Sequence, residues 1–209
     1  MNLILLGAPG AGKGTLASYL IEKMGVPSVS TGNILREAIR CGTALGQQAK
    51  AFMDAGKLVP DQLVIDLLKD RISQDDCKNG FILDGFPRTI PQAETLDTIA
   101  SIDKVLNLDV PDSVIMDRMT GRRSCPACGM TYHVQNNPPK AEGVCDNCGA
   151  ALEIRRDDSP EVVSKRLETY HTQTEPLRTY YEAQGKLSNL DGTQGIHQTE
   201  AFAAAALGL

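Results

Sequence analysis

Nine residues near the start of the chain, Gly7-Ala8-Pro9-Gly10-Ala11-Gly12-Lys13-Gly14-Thr15, have the composition of a phosphate cradle. Glycines let successive backbone N–H groups curl toward one point, and a helix beginning there aims its positive end at the same point. Lys13 adds a mobile cation suited to β- and γ-phosphates. The pattern GxxxxGK is met, but Gly14 stands where Ser or Thr is usual, and Thr15 comes one place later. The hydroxyl still falls in the first helical turn. A glycine turn without a ligand is the competing reading. Placement between an apolar run and a helical pattern favours phosphate.

A second constellation is Cys125-x2-Cys128-x16-Cys145-x2-Cys148, with Gly129 and Gly149 directly after the two pairs. This is zinc-ribbon spacing, and the glycines suit tight knuckles. Four thiolates complete a tetrahedral Zn²⁺ and leave no open position, so the expected metal is structural and not catalytic. Disulfides compete with this reading. Cys41 and Cys77 are isolated in the sequence, and a reducing, cytoplasmic setting favours the metal.

The stretch GFILDGFPRT, residues 80–89, reads as a buried strand ending in Asp84. That carboxylate is placed to face Mg²⁺ through water, as in Walker-B sites. The chain then leaves the sheet's C-terminal edge, where open α/β folds bind ligands. Arg118, Arg122, Arg123, Arg155, Arg156 and Arg166 cluster further on. Alone they describe a solvated face. Beside a phosphate loop they match phosphoryl transfer, which needs alignment and charge neutralisation more than acid–base chemistry. Arg118 and Arg122 lie four apart, which predicts one helix face aimed into one cleft. The three histidines are expected on the surface or at caps.

These groups need a scaffold. Short apolar runs at 2–6, 81–83, 105–108 and 187–190, with a weaker one at 28–29, predict strands buried on both faces. Helical spacing separates them, with Asp61, Asp112 and Ser159 as expected N-caps and Pro160 at the first helical position. Alternation of this kind predicts a parallel α/β sheet. Residues 121–158 break the rhythm with cysteines, glycines and Pro138-Pro139, as an insert would. The alanine-rich tail at 201–206 predicts a closing helix.

The totals agree with one domain carrying inserts: 209 residues, 42% hydrophobic and no Trp. A net charge of −5 argues against a general nucleic-acid or membrane-surface binder. No apolar run approaches the roughly 18 residues of a membrane span, and the first residues lack the charged n-region of a secretory signal.

The motifs GAPGAGKGT, STGNILR, AGKLVPD, LDGFPRTIPQA and RRDDSPEVVSKRL, in this order and at these spacings, resemble the adenylate kinase family over essentially the whole chain. The resemblance implies a P-loop nucleoside monophosphate kinase fold: a five-stranded parallel sheet with helices on both faces, a helical flap and a zinc-ribbon lid. It implies Mg·ATP + AMP giving two ADP, with a core over 1–29, 60–120 and 159–209, the flap over 30–59 and the lid over 121–158. Its phosphate loop also reads GKGT. Carried over by position, Gly10, Ala11, Gly12, Lys13, Gly14, Thr15, Arg118, Arg122, Thr131, Tyr132 and Gln194 hold ATP. Thr31, Arg36, Lys57, Leu58, Val59, Gly85, Phe86, Pro87, Arg88, Gln92, Arg155 and Arg166 hold AMP. Lys13, Asp84, Arg88, Arg122, Arg155 and Arg166 carry the catalysis, and Asp157 and Asp158 sit at the lid hinge. A lid is expected physically, because water must be excluded if phosphate is to reach AMP. The family resemblance also implies a monomer, with ATP, AMP and ADP as its partners, in the cytoplasmic setting that the cysteine usage favours.

Two departures from the family's commonest sequence are Asn33, where an acid is frequent, and Pro60 before Asp61. The alternatives are a kinase for another monophosphate (UMP or CMP), and a P-loop ATPase whose zinc ribbon reads nucleic acid. The second would want basic and aromatic residues around the knuckles; here the arginines flank the insert's base.

Overall fold

The computed structural model describes all of residues 1–209. In chain order its elements are β1 (Asn2–Gly7), α1 (Lys13–Met24), β2 (Ser28–Ser30), α2 (Thr31–Arg40), α3 (Ala44–Asp54), α4 (Asp61–Ile72), β3 (Phe81–Asp84) and α5 (Ile90–Ile99). Then follow β4 (Lys104–Asp109), α6 (Asp112–Thr120), β5 (Arg122–Ser124), β6 (Thr131–His133), α7 (Pro160–Thr169), α8 (Leu177–Ala183), β7 (Leu187–Asp191) and α9 (Ile196–Leu207).

Five strands form one sheet in the order β2-β3-β1-β4-β7, every pair parallel. The period-2 alternation of a strand sorts its side chains between two cores. Ile4, Leu6, Phe81, Leu83 and Val105 face one, packed under α4, α5 and α8 through Leu68, Leu96 and Tyr181. Leu3, Leu5, Ile82, Leu106 and Leu108 face the other, covered by α1, α6, α7 and α9 through Leu20, Ile115, Val163 and Ala203. Each buried leucine contributes roughly 1.5–3 kcal/mol. Both faces are covered, so the strands can be apolar throughout, as parallel sheets require.

The strand order reverses around β1, whose neighbours are β3 on one side and β4 on the other. The crevice at such a switch point opens at the strands' C-terminal ends. Leu5 pairs with Asp84 there, and Ser30 also pairs with Asp84. Phosphate loop, Thr31 and Asp84 therefore meet at one sheet edge.

Beside the sheet, α2 and α3 pack against each other closely. A Cβ on Gly46 would lie 2.1 Å from the Ala38 carbonyl oxygen, so only glycine fits that crossing. The two strands β5 and β6 pair antiparallel, and the bridges Ser124–Glu153 and Val144–Ala151 knit residues 122–153 into a small separate unit. Its core is Cys125, Tyr132 and Cys145, flanked by Ala150 and Leu152.

Three local expectations change. Pro60 and Pro111 occupy the N-cap positions expected for Asp61 and Asp112, which are instead the first residues of their helices. Their carboxylates are drawn to distant partners: Asp61 to Thr89 and Gln92, Asp112 to His171. An acid in the first turn still favours the helix's positive end. Ser159 does cap its helix, accepting from the Val162 N–H at 3.4 Å. Finally, α6 ends at Thr120, so Arg122 lies on β5 and does not share a helix with Arg118. The Gly121 N–H closes the last turn on the Asp117 carbonyl, and the backbone then extends.

Candidate active site

The crevice is a cavity of about 1250 Å³ that runs from the phosphate loop to α2 and across to β5 and β6. Every sequence-predicted nucleotide or catalytic residue except Phe86 lines it. Phe86 is 1% exposed and its side chain packs in the core beneath the floor, which leaves only its backbone for a ligand.

The loop is shaped by glycine. Gly12, at φ +104°, is the N-cap of α1, a backbone that L side chains rarely adopt. Lys13 folds back over the loop, and its Nζ donates to the carbonyls of Gly7 at 2.7 Å and Ala8 at 2.8 Å. Burial lowers its pKa to about 8; the Asp84 charge pulls the other way, while Arg88, Arg166 and Arg122 add to the lowering. Arg118 bridges two loops, donating to the Ala11 carbonyl at 3.2 Å and to the Gly192 carbonyl at 2.7 Å. Gln194, nearby, donates to Asp191 at 2.8 Å.

The arginines crowd together. Burial, and then mutual repulsion, lowers Arg36 to about 10 and Arg155 to about 9, and holds Arg88 and Arg166 below their ordinary value too. The carboxylates sharing this field are Asp84, Asp157 and Asp158. Arg122 Nε and Nη2 reach the two oxygens of Asp158 at 2.8 and 2.5 Å, and Arg166 reaches Asp157 at 2.7 Å and Asp158 at 3.3 Å. Burial pushes the Asp157 carboxyl up, but Arg166, Arg36, Arg122 and Arg155 together outweigh it and hold it low. Lys13, Arg36, Arg88, Arg122, Arg155 and Arg166 are six cations against three carboxylates. Like charges desolvated together are costly unless an anion joins them. The arrangement suits a polyanion such as phosphate groups in series.

On the opposite wall, the Thr31 hydroxyl donates to the Gly85 carbonyl at 2.9 Å, and Arg88 Nε donates to the same oxygen at 2.7 Å. Arg36 donates to Asn33 at 2.7 Å. Lys57, Leu58 and Val59 border this end. Gln92 is 1% exposed, with its amide held by the Arg88 backbone and by Asp61. Asp84 accepts from the Ser30 hydroxyl at 3.2 Å and lines the cavity.

The four cysteine sulfurs all lie within 4.8 Å of one another, Cys125–Cys148 at 3.4 Å and Cys128–Cys145 at 3.5 Å. A tetrahedron with metal–sulfur bonds of about 2.3 Å spaces its sulfurs about 3.8 Å apart, so the donors fit zinc. They are too far apart for S–S bonds of about 2.05 Å. The knuckles match: Gly129 N–H donates to the Cys125 carbonyl, and Gly149 N–H to the Cys145 carbonyl. Tyr132 connects this centre to the cavity wall. It is among the residues lining the cavity, while its hydroxyl accepts from the Asp146 N–H at 2.8 Å and lies 3.5 Å from the Cys145 sulfur.

His133 and His197 reach the cavity rim, but His133 spends both nitrogens on backbone groups and His197 pairs with Glu200. No local pattern marks Asp158 as the anchor of Arg122, Gly192 as the partner of Arg118, or Asp61 as the partner of Gln92. The acid pair after Arg156 was the only signal available for any of them.

The family model described as adenylate kinase matches residues 5–186. The chain is 54% identical to an adenylate kinase of Caldicellulosiruptor saccharolyticus, with the whole of both chains covered. It is 54% identical to one from Lachnospira eligens over 98% of this chain and 97% of the relative, and 54% identical to one from Thermodesulfovibrio yellowstonii over 95% and 94%. No helix is long and apolar enough to cross a membrane. Identity above half along the full length embraces the sheet, the cation-lined crevice and the cysteine unit alike, and the chain belongs to the adenylate kinase family.

Proposed function

We propose that this protein is an adenylate kinase, moving the terminal phosphoryl group of Mg·ATP to AMP and back between two ADP. The observation that carries the reading is the convergence of Lys13, Arg36, Arg88, Arg122, Arg155 and Arg166 on one cavity, within a chain of this family. At about 1250 Å³ the cavity exceeds the roughly 300–1,000 Å³ of an ordinary single-ligand site and has room for two nucleotides.

In this reading the loop from Gly10 to Thr15 and Lys13 hold the donor's phosphates, with Arg118, Arg122, Thr131, Tyr132 and Gln194 along the donor side. Thr31, Arg36, Lys57, Leu58, Val59, Gly85, Pro87, Arg88 and Gln92 border the acceptor, with the Phe86 backbone. Arg155 and Arg166 lie between and meet the moving group. The residues act by holding the acceptor oxygen in line with the donor phosphorus and by opposing the charge spread over the equatorial oxygens. No side chain needs to take a proton at a fixed position. Magnesium bound with ATP would supply screening of the phosphate charge, and Asp84 would be the carboxylate that helps to hold it.

Residues 30–59 act as the acceptor flap, 121–158 as the lid, and 1–29, 60–120 and 159–209 as the core. The lid excludes water, which would otherwise take the phosphate. Zinc, held by Cys125, Cys128, Cys145 and Cys148, stiffens that lid and takes no part in the reaction. The acidic charge weighs against nucleic-acid binding, the cysteine usage suits a reducing cytoplasm, and the family membership supports a monomer. Incubation with Mg·ATP and each nucleoside monophosphate in turn tests the proposal. ADP formed with AMP in preference to UMP or CMP is expected, and ATP hydrolysis indifferent to the acceptor overturns it.

A further inference from the structure

Between α7 and α8 the chain makes one turn of π-helix, Tyr170–Thr174, closed by the Glu175 N–H on the Tyr170 carbonyl at 2.9 Å. Single turns of this kind are rare and are frequent at functional sites. Five residues of α-helix overshoot a full turn by about 140°, whereas the wider turn brings the fifth residue back toward the face it started from. Thr169 and Thr174 both line the cavity, and each hydroxyl lies within reach of a loop carbonyl distant in the chain: Gly56 at 3.3 Å and Arg88 at 2.8 Å. Thr169 has a nearer acceptor in its own helix, the Lys165 carbonyl at 2.8 Å, but Thr174 has the Arg88 carbonyl alone. That carbonyl accepts from no backbone N–H. The other anchors of Arg88 are local. Its backbone N–H donates to Gln92 Oε1 and its Nε to the Gly85 carbonyl, both at 2.7 Å, and both Nη groups are left for a ligand.

We propose that Thr174 is a positioning residue for Arg88: its hydroxyl ties the loop between β3 and α5 to the end of α7, and so sets the spacing between Arg88 and Arg166. The inference rests on the reading of the cavity as a site where AMP accepts a phosphoryl group. Arg166 stands on α7, which runs into the π-turn without a break, so Thr174 and Arg166 belong to one body. Gln92 and Gly85 lie four and three residues from Arg88 and move with its loop; Thr174 is 86 residues away and holds that loop to the body carrying Arg166. The tie works against a repulsion. Burial first, and then the Arg166 charge, hold Arg88 below its ordinary value, so the two guanidiniums push apart. A loop fixed only to its own neighbours would yield to that push. Thr suits the task, because its branched Cβ restricts χ1 and so fixes the direction of the hydroxyl. In-line transfer depends on such spacing, since Arg88 borders the acceptor and Arg166 meets the moving group.

The test measures initial rates with Mg·ATP and AMP in the whole protein. Thr174→Val keeps the shape and removes the donor. Its KM for AMP is expected to rise about tenfold, the scale of one hydrogen bond, while the KM for ATP moves by less than about twofold. Thr174→Ser keeps the hydroxyl and is expected to restore most of the AMP affinity. Thr174→Ala is measured beside the valine variant, so that crowding by the added methyl is not read as loss of the bond. Thr172→Val removes an exposed hydroxyl bonded only to the Glu168 and Thr169 carbonyls; this control for loosening of the turn is expected to leave both KM values unchanged. A double variant reads the coupling. In an Arg88→Lys background the effect of Thr174→Val on the AMP KM is expected to fall below about twofold, because the guanidinium it positions is gone. An AMP KM unmoved in Thr174→Val and Thr174→Ala, an equal rise in the ATP KM, or an effect undiminished beside Arg88→Lys overturns the proposal. A wild-type protein that forms no ADP from AMP removes the functional reading and this inference with it, whereas an active wild type with unmoved variants removes the inference alone.

Discussion

The Asp158 carboxylate, fully buried, grips the Arg122 guanidinium through both oxygens at 2.5 and 2.8 Å. It thereby ties the first strand of the cysteine unit to the base of α7. Arg166 shares the same carboxylate from the core side at 3.3 Å. Two arginines expected at the reacting phosphates are thus held before any nucleotide arrives.

Removing that carboxylate leaves Arg122 without its partner and Arg166 with Asp157 alone. Asp158→Ala is expected to lower stability by about 3–5 kcal/mol, the usual cost of breaking a buried pair by deleting one side. Bound nucleotide supplies new anions, so the rise in Tm on adding a bisubstrate analogue such as Ap5A should be larger in the variant than in the wild type. Thermal unfolding with and without that analogue checks both; equal rises would mean that Asp158 and the phosphates do not compete for the same arginines.

Lys13 makes a testable pH dependence. Its folded pKa, lowered mainly by burial to about 8, lies below the 10.5 of the unfolded chain. The unfolded state therefore binds more protons between these values, and stability rises with pH across that window; below about 8 the full cost of the buried charge is present. Denaturant midpoints at pH 7 and pH 9.5 should move upward in the wild type and much less in Lys13→Met. The same variant should be more stable at pH 7 and lose at least about a hundredfold in kcat, as removal of a charge-stabilising donor does. Wild-type kcat/KM for Mg·ATP should decline above pH 8 as the ammonium is lost.

Metal removal should act on the lid and spare the sheet. Chelation under reducing conditions is expected to lower Tm and to increase amide exchange within residues 122–153, while β1, β3 and β4 stay protected. Metal analysis should return one zinc per chain. Tyr132→Phe strips the acceptor from the Asp146 N–H and should cost about 1–3 kcal/mol, the range for a donor left unpaired. Exchange that rises evenly over the whole chain would refute a local role for the metal.

His171 offers a surface control. Nδ1 faces Glu175 at 2.8 Å and Nε2 faces Asp112 at 3.0 Å, and hydrogen bonds to these acids, Glu175 first, raise its pKa above the ordinary imidazole value. The pairing contributes below the unfolded pKa of about 6.5 and fades as pH climbs through the raised folded value. Ring titration by NMR in wild type and Asp112→Asn should give the lower pKa in the variant. The stability effect should be small and sensitive to salt, because the group is exposed.

Patterns confined to a few neighbouring residues were legible before any fold was known. The phosphate loop, the strand ending at Asp84 and the cysteine knuckles are contiguous, and backbone geometry alone makes them work. The inner strands β1, β3 and β4 are legible for a related reason: burial on both faces leaves a largely apolar run, which the edge strands β2 and β7 carry only weakly. Helix caps were read less well at Asp61 and Asp112, because a side chain that can cap locally can also bond to a partner far along the chain, and here the distant partner won. The spacing of Arg118 and Arg122 misleads, because four residues mean one helix face only while the helix continues, and α6 ends at Thr120.

The sequence by itself determined the chemistry available: a glycine cradle with a lysine, a surplus of arginines, and four thiolates at ribbon spacing. Tertiary structure alone decided which of these groups meet. Arg122 and Asp158 are 36 positions apart, and Asp61 and Gln92 are 31 apart. Each pair is brought together by sheet register and helix packing, which sum many weak apolar contacts over the whole chain. No local pattern records that sum, so the partners emerge only when the core closes.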